Sequence, residues 1–268
     1  MTEQLQHYET ITVRIEQPFA FIALNRPDVR NAMNQQMVTD LRDIFGRLRD
    51  DRSVRAVMLS GAGGNFCAGG DLKEMQAAYT DPDAQDTERT RSFDDLLVAV
   101  NTAPQVVIAR VEGAAMGGGL GLVCVSDVAI ASEDAIFGLP EVRLGIVPAL
   151  ISPYVIDRVG LTTARRLMLT GARFDGVEAL RYGVVHEVYA ADALDDAVTG
   201  VLEDIRQASP DALAACKELI FRVTREDLPA TAAYRAELLD HLRRSESGQE
   251  GMLAFIRKRK PKWAQEGN

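Results

Sequence analysis

The sequence predicts an α/β protein in which a core of strand–turn–helix units is followed by a helical region. Two segments, "VMLSGAGGNFCAGGDLKEM" and "VIARVEGAAMGGGLGLVCV", repeat the order strand, glycine-rich turn, helix. From about Leu150 onward the apolar spacing is mostly helical. We expect a core over 1–200 and a helical region over 201–268. No linker rich in Pro, Gly or Ser separates them, so both parts are expected to act as one unit.

The first elements follow from simple patterns. "ETITVRIEQPFAFIALN" alternates apolar and polar residues around Gln17–Pro18, which predicts a β-hairpin. "NQQMVTDLRDIFGRLRDD" places Met37, Leu41, Ile44 and Leu48 on one helical face. "VRAVMLSG" then predicts a short buried strand that runs into the first glycine-rich turn.

The helix after that turn is expected to begin at Asp71 with a capping box. The Asp71 carboxylate would accept an early helix N–H, and Glu74 would reach back to the N–H of Asp71. A polar stretch, "YTDPDAQDTERT", is expected to separate this helix from a second one, "SFDDLLVAVNTA".

The remaining elements are predicted in the following order. "PQVVIARVEG" is a strand before the second glycine-rich turn, and "SDVAIASEDAIFGLPE" is two short strands. Helices follow over "ISPYVIDRVG", "TTARRLMLTG" and "DGVEALRYG", and then three longer ones.

Composition narrows the class of protein. The 268 residues are 47% hydrophobic and 26% charged, which is typical of a globular chain with a real core. The net charge of −9 argues against non-specific nucleic-acid binding. The cysteines Cys67, Cys124 and Cys216 are scattered, which favours a reducing compartment. With no signal-peptide pattern at the start and no apolar run that could span a bilayer, we expect a cytoplasmic protein without membrane contact.

The sequence lacks the spacings of common nucleotide-binding and nucleophile motifs. Neither glycine-rich turn gives GxGxxG, and neither GxxxxGK[ST] nor GxSxG occurs. His7, His186 and His241 are isolated, so each is interpreted as a surface or packing histidine, and no metal is expected.

The paired turns themselves suggest a site. A helix N-terminus presents unpaired N–H groups and a positive partial charge, and glycine lets a ligand approach the backbone. Two such N-termini directed at one point would form an oxyanion hole. A tight connection explains either turn alone equally well, but the pair favours a site.

Glu141, in "FGLPEVRLGIVPA", is the candidate acid–base group. Pro140 fixes its own φ and lacks an N–H, which holds this segment rigid. Because Phe137, Leu139, Val142 and Leu144 flank it, the carboxylate is expected to lie in apolar surroundings, and partial desolvation would raise its pKa toward a useful range. A surface glutamate is the alternative interpretation.

Four segments together resemble the crotonase (enoyl-CoA hydratase/isomerase) superfamily: "FCAGGDLKEM", "VEGAAMGGGLGL", "SDVAIASEDAIFGLPEVRLGIVP" and "AFIRKRKPKW". The resemblance runs from "ALNRPDVRNAM" to the basic tail. Within the superfamily, "VCVSDVAIA", "FGLPEVRLGIVPA" and "EGMLAFIRKRKPKWAQ" are most similar to isohexenylglutaconyl-CoA hydratases of acyclic terpene breakdown. Methylglutaconyl-CoA hydratases of leucine breakdown are the next most similar group.

The resemblance implies a spiral of ββα units, a helical C-terminal trimerisation region, and a homotrimer or a homohexamer formed as a dimer of trimers. It also implies a substrate that is an acyl thioester of coenzyme A, with its carbonyl between the backbone N–H groups of Ala68 and Gly118. Each such donor is worth about 3–4 kcal/mol in comparable oxyanion holes. The implied catalytic residues are therefore Glu141, Ala68 and Gly118.

The resemblance also assigns binding residues. The backbone from Ala68 to Leu72 would line the adenine pocket, with Asp71 still capping its helix, and Arg30 would lie near the coenzyme phosphates. Lys73 and the cationic run Arg257 to Lys262 are weaker phosphate candidates, because an exposed, solvated face explains them equally well. The implied coenzyme A and substrate contacts are Arg30, Ala68, Gly69, Gly70, Asp71, Leu72, Lys73, Gly117, Leu139 and Pro140.

One departure bears on mechanism. Common enoyl-CoA hydratases carry one glutamate in "GGGxE" and one in "PE", whereas this chain keeps Glu141 and has Gly121 at the first position. The expected reaction is hydration of a branched, glutaconyl-type enoyl thioester without metal or redox cofactor. We interpret Gly121 as making room at the carbon that water attacks and as removing a repulsive charge. A Δ3,Δ2-enoyl-CoA isomerase and a non-catalytic CoA-binding protein are the alternatives.

Overall fold

Among the described parts of the chain, a six-stranded sheet forms the centre of the molecule. The computed structural model describes residues 8–80 and 86–265. The sheet has the strand order β1-β2-β3-β4-β6-β9, in which the first pair is antiparallel and every other pair is parallel. Its strands are β1 (Ile11–Glu16), β2 (Phe19–Leu24), β3 (Ala56–Gly61), β4 (Val106–Val111), β6 (Val128–Ser132) and β9 (Glu187–Tyr189).

A smaller sheet carries the functional segments. It consists of β5 (Ala114–Met116), β7 (Ile136–Gly138) and β8 (Arg173–Phe174) in the order β5-β7-β8. The pairs β5–β7 and β7–β8 are parallel and antiparallel, respectively. The described helices are α1 (Gln35–Leu48), α2 (Leu72–Thr80), α3 (Asp86–Asn101), α4 (Gly118–Val125), α5 (Ser152–Thr170), α6 (Gly176–Tyr182), α7 (Leu194–Arg206), α8 (Pro210–Arg225), α9 (Ala232–Arg244) and α10 (Glu246–Ile256).

The large sheet is buried on both faces, which is typical of parallel sheets. Alternate residues of one strand point to opposite faces, so Val57 and Leu59 of β3 join the main core while Ala56 joins a second cluster. The main core packs against α1, α3 and α4, and the second cluster packs against α7. This covering fixes the sheet, and therefore the loops that follow its strands.

Most predicted elements are confirmed. The hairpin forms β1 and β2 in antiparallel register, and the four predicted core residues of α1 are buried. The predicted strands become β3, β4, β6 and β7. The helix predicted to begin at Ser92 begins earlier, at Asp86, and therefore includes the end of the predicted polar stretch. Residues 81–85 of that stretch lie outside the described residues.

The second half differs from the prediction in three details. The two helices predicted over 151–171 form a single element, α5, with a kink at Gly160 (φ 74°, ψ 160°). The chain also contains the short strands β5, β8 and β9, whose length of two or three residues leaves no readable alternation. Four helices rather than three complete the described chain.

The predicted boundary at residue 200 falls within α7, whose buried face packs on the sheet. The division into a core and a C-terminal region stays a prediction. The last helices are joined to the sheet through polar contacts: the Nζ of the buried Lys217 donates to Asp127 Oδ2 at 2.6 Å and to the carbonyl of Gln105 at 3.1 Å.

Candidate active site

The two glycine-rich turns lie side by side. The N–H of Cys67 donates to the carbonyl of Ala114 at 2.8 Å, and the N–H of Met116 donates to the carbonyl of Cys67 at 2.9 Å. A Cβ on Gly119 would lie 2.6 Å from the carbonyl oxygen of Cys67, too close for any side chain. The loop after β3 is therefore held directly against the start of α4.

Helix α4 begins in this junction. Its N-cap residue, Gly117, has φ 49° and ψ −118°, a conformation that residues with a side chain rarely adopt. The N–H of Gly117 donates to the carbonyl of Gly138 at 2.9 Å. Gly118 is the first residue of the helix, so its N–H has no intrahelical acceptor. Because Gly118 lines a cavity, that N–H is available to a ligand.

The first turn has a different free donor from the expected one. The N–H of Ala68 donates to the carbonyl of Arg30 at 2.9 Å, so it is already engaged. Met33 pairs with an extended segment of the loop through two backbone hydrogen bonds. Its N–H donates to the carbonyl of Gly69 at 2.7 Å, and its carbonyl accepts from the N–H of Asp71 at 2.9 Å. In such a bridge the N–H of the intervening residue, Gly70, points away from Met33.

The assignment of the first oxyanion donor to Ala68 therefore needs correction. Within the described residues the N–H of Gly70 has no acceptor, and Gly70 lines the same cavity as Gly118. The error has a physical cause: both residues sit in the glycine-rich string, and only the position of the Arg30 carbonyl decides which N–H is occupied.

The capping box at α2 is half correct. Asp71 Oδ1 accepts from the N–H groups of Lys73 and Glu74 at 3.2 and 3.4 Å, as a cap would. Glu74 does not reach back, because the N–H of Asp71 is bonded to Met33; its carboxylate instead accepts from the N–H of Gln35 at 3.1 and 3.3 Å.

Arg26 fixes Asp71 from the other side. Both of its terminal nitrogens donate to Asp71 Oδ2 at 3.0 Å. Partial burial acts to raise the pKa of Asp71, but the hydrogen bonds from Arg26 and from the start of α2 lower it overall. Asp71 therefore stays ionised and holds the loop in place.

Glu141 lies next to the start of α4. Pairing of Met116 with Gly138 brings the following segment beside Gly117, and a Cβ on Gly117 would lie 2.9 Å from Glu141 Oε1. Glu141 is half-buried, and its Oε2 is buried with no hydrogen-bond partner among the described residues. Burial raises the pKa of this carboxyl group above its usual 4.5. These are the surroundings predicted for an acid–base group.

A single cavity of about 360 Å³ joins these groups. It is lined by Ala68, Gly69, Gly70, Asp71, Leu72, Gly117, Gly118, Pro140 and Glu141 from the sequence prediction, and by further, mostly apolar residues that include Val38, Met75, Phe93, Leu144, Val147 and Ile151. Three of the predicted contacts do not line it. Leu139 is fully buried in the core, whereas Arg30 and Lys73 are exposed outside the cavity.

Gly121 does not leave an open space. It is buried in α4, and a Cβ there would overlap Cγ2 of Ile151. Ile151 is itself 3% exposed and lines the cavity. The expectation that Gly121 makes room for substrate is therefore wrong: an isoleucine from another part of the chain fills the space where the first glutamate would stand.

Other candidates lie elsewhere. His186 packs through Nδ1, which accepts the N–H of Ala129 at 2.9 Å, and His241 is exposed on α9; neither lines the cavity, and His7 lies outside the described residues. Within residues 8–80 and 86–265 there is no group of His, Cys, Asp and Glu that could hold a metal ion. The thiol of Cys67 is fully buried, which raises its pKa to about 11.

The basic tail lies outside the cavity. Arg259 pairs with Glu250 at 2.6 Å, while the remaining cations of the run Arg257 to Lys262 are exposed. Across the described residues, no helix combines the length and the apolar character needed to cross a membrane.

Several residues of the site were not predicted from the sequence. Asn31 is fully buried and donates to the carbonyls of Ala62 and Asn65 at 2.9 and 2.6 Å, which ties the segment before α1 to the first turn. Arg26 performs the same task for Asp71. Their signal was present in "NRPDVRNAM", a polar string between two apolar elements. Phe93 and Arg89, which line the cavity from α3, left no such signal.

Comparison with known proteins identifies the family. The family profile described as "Enoyl-CoA hydratase/isomerase" matches residues 14–266. Among curated proteins, the chain is 36% identical to "Probable enoyl-CoA hydratase echA8" of Mycobacterium bovis, over 96% of this chain and 98% of that protein.

Solved structures extend the agreement to the fold. "Pseudomonas aeruginosa AtuE" superimposes with a TM-score of 0.93 and 50% identity, over 96% of this chain and all of that one. An enoyl-CoA hydratase/isomerase from Marinobacter aquaeolei gives a TM-score of 0.92 and 45% identity, over 96% of this chain and 99% of that one. The chain therefore belongs to the enoyl-CoA hydratase/isomerase family and is an enzyme of the crotonase superfamily.

Proposed function

We propose that this enzyme adds water to the double bond of a branched, glutaconyl-type enoyl-CoA thioester, with Glu141 as its only acid–base carboxylate. The observation that carries the proposal is the arrangement at the cavity. Gly70, Gly118 and Glu141 line the same cavity of about 360 Å³. Among the described residues, the N–H groups of Gly70 and Gly118 have no acceptor and the buried Oε2 of Glu141 has no hydrogen-bond partner.

The two N–H groups would bind the thioester oxygen. When hydroxide adds to the β-carbon, negative charge moves onto this oxygen and forms an enolate. Donors that are already oriented stabilise such a charge without reorganisation, and loss of one donor in comparable sites costs about 10²–10³ in kcat. In this proposal Gly118 keeps the role implied by the resemblance, and Gly70 takes the role first given to Ala68.

Glu141 would then perform both proton transfers. Its carboxylate takes one proton from water as the hydroxyl oxygen bonds to the β-carbon, and it returns that proton to the α-carbon of the enolate. The sum is one water added across the double bond, and Glu141 ends ionised as it began. A raised pKa suits this double role because the group must release as well as accept a proton near neutral pH.

Besides Glu141, the described residues that line the cavity include two carboxylates, Asp71 and Glu74, and both are engaged elsewhere. Asp71 is ionised and bonded to Arg26, and Glu74 accepts from the N–H of Gln35. Ile151 fills the position of the missing glutamate, so the carbon under attack faces an apolar wall. A β-carbon with two substituents supports developing positive charge better, and hydration there depends less on a second carboxylate. The proposed reaction requires no metal or redox cofactor.

The single carboxylate also suits a second reaction. A Δ3,Δ2-enoyl-CoA isomerase needs one base to move a proton between carbons, and Glu141 could serve it. The two reactions differ in whether solvent oxygen enters the product.

Incubation with a panel of enoyl-CoA thioesters in ¹⁸O-labelled water, followed by mass spectrometry, distinguishes them. Hydration predicts a product heavier by one labelled water, with a higher kcat/KM for branched glutaconyl-type thioesters than for crotonyl-CoA. Unlabelled product with a shifted double bond would establish isomerisation instead. Tight binding of every thioester without turnover would establish a CoA-binding protein. The Glu141→Gln variant is the control, because its amide cannot cycle a proton.

We also propose that the active enzyme is a homotrimer or a dimer of such trimers. Apolar side chains at the end of α10 support association: Phe255 and Ile256 are 86% and 75% exposed. Exposed apolar surface of this kind is typical of a protein interface. Light scattering of the purified chain tests the assembly, and a monomer at micromolar concentration would contradict it.

A further inference from the structure

Arg89 brings a positive charge to the cavity. It lies near the start of α3 and lines the cavity together with the apolar residues Met75 and Phe93 and the polar residues Glu74 and Thr90. Among the described residues that line the cavity, it is the only Lys, Arg or His. Glu74 also lines the cavity and is the nearest counter-charge that the protein supplies, so the ability of Arg89 to bind an anionic ligand depends on how strongly the two are paired.

The guanidinium group is weakly paired in the protein itself. Its Nη1 lies 3.8 Å from Glu74 Oε1, beyond hydrogen-bonding distance, and the side chain is 43% exposed. Glu74 already accepts from the N–H of Gln35. Within the described part of the chain Arg89 has no hydrogen bond, so its planar set of donors remains available to a ligand.

Arg89 lies on the helix whose Phe93 approaches the proposed oxyanion site. The ring of Phe93 approaches the start of α4, where a Cβ on Gly118 would lie 3.2 Å from Phe93 Cζ. Arg89 precedes Phe93 by one helical turn, a rise of about 6 Å. Four carbon–carbon bonds of about 1.5 Å separate the two carboxyl carbons of a five-carbon diacid, which places them about 5 Å apart.

We propose that Arg89 binds the free carboxylate at the far end of the acyl chain, and so selects dicarboxylic over monocarboxylic enoyl thioesters. This inference rests on the proposed hydration of a glutaconyl-type substrate and names the residue that recognises its second charge. Arginine suits the task because its planar donors match both oxygens of a carboxylate. A substrate carboxylate would displace the long contact to Glu74 with two short hydrogen bonds.

Two thioesters that differ in one group test the inference: a 3-methylglutaconyl-CoA, and the analogue in which an amide replaces the distal carboxylate. The measured quantity is the ratio of kcat/KM for the acid to kcat/KM for the amide. We expect Arg89→Gln to lower this ratio by roughly 10- to 100-fold, the usual effect of losing a hydrogen bond to a charged group. Arg89→Lys should lower it less, because the charge remains. Arg91→Gln is the matched control, an exposed arginine outside the cavity, and should keep the wild-type ratio.

The outcomes distinguish an error in the proposed substrate from an error in the role proposed for Arg89. If the wild-type enzyme turns over the amide as well as the acid, the glutaconyl-type substrate itself is wrong. If the wild type prefers the acid and Arg89→Gln keeps that preference, only the role of Arg89 is wrong. An equal fall for both thioesters would also overturn it, because Arg89 would then serve the coenzyme A portion that the two share.

Discussion

The two glycine-rich turns share a sequence design and differ in how the structure holds them. The turn before α4 is followed by a wholly apolar helix whose residues from Gly119 to Val125 are all buried. The turn before α2 is followed by a helix whose first residues, Leu72 and Lys73, are exposed. Hydrogen bonds hold this turn: Arg26 to Asp71, and Gln35 to Glu74. Packing holds the N–H donor of Gly118 in place, and a network of hydrogen bonds holds that of Gly70.

This difference explains which site residues could be read from sequence. At α4 the free donor is simply the first helical residue, so a rule about helix starts leads to Gly118. At the other turn the donor precedes the helix, and a distant carbonyl, that of Arg30, occupies the N–H of Ala68. A glycine-rich string predicts that a free N–H exists, but tertiary contacts decide which one it is.

The largest effect is expected at the packed turn. Gly118→Pro removes the N–H at a first helical position, where proline is otherwise well accepted. We expect kcat to fall by about 10²–10³. Gly118→Ala is the matched control, since it adds the same Cβ near Phe93 but keeps the N–H. Equal rates for the two variants would mean that this turn serves structure only.

A smaller loss is expected at the polar turn. Gly70→Pro removes the proposed second donor, and its Cβ meets only the flexible end of Met75, 3.1 Å away. We expect kcat to fall by roughly 10²-fold, while Gly70→Ala retains much of the rate. Steady-state kinetics on the preferred thioester measure both. A folded Gly70→Pro enzyme with undiminished kcat would return the role of donor to Ala68.

The packing of α4 gives a third prediction, on stability. Gly121→Glu should lower the free energy of unfolding by about 1–3 kcal/mol or more, because the side chain collides with Ile151 and buries a carboxylate. Adding Ile151→Ala should recover part of this loss. Urea denaturation measures both variants. Gly46→Glu is the control, since a Cβ on that exposed helical glycine would have no atom within 4 Å. Unchanged stability in Gly121→Glu alone would show that Ile151 moves aside freely.

The fold was predictable where patterns are long. Six-residue strands such as β3 and β4, and the fourteen-residue α1, carry enough alternation or helical spacing to be identified. The strands β5, β8 and β9 have two or three residues, and their pairing depends on elements far away in the chain. No local pattern could reveal them.

The site was predictable to a similar degree. Glu141 and the glycine turns could be identified because rigid segments and unusual backbone leave marks in the sequence. Ile151 and Arg89 could not, since each reaches the site from a segment whose own pattern reads as an ordinary helix or loop. At Gly121 the absence of a side chain does not leave an empty space, because Ile151 occupies it.

The pH dependence of kcat/KM tests whether one carboxylate, Glu141, carries both proton transfers. This parameter reports the free enzyme's essential groups. Glu141 must be ionised to accept a proton, and burial raises its pKa, so kcat/KM should rise with pH through a value above 4.5. We predict an acid limb with a slope of one in wild type, and in Glu141→Gln a loss of most activity together with that limb. A slope of two, or the same limb persisting in Glu141→Gln, would show that another acid–base group does the work and would contradict the account.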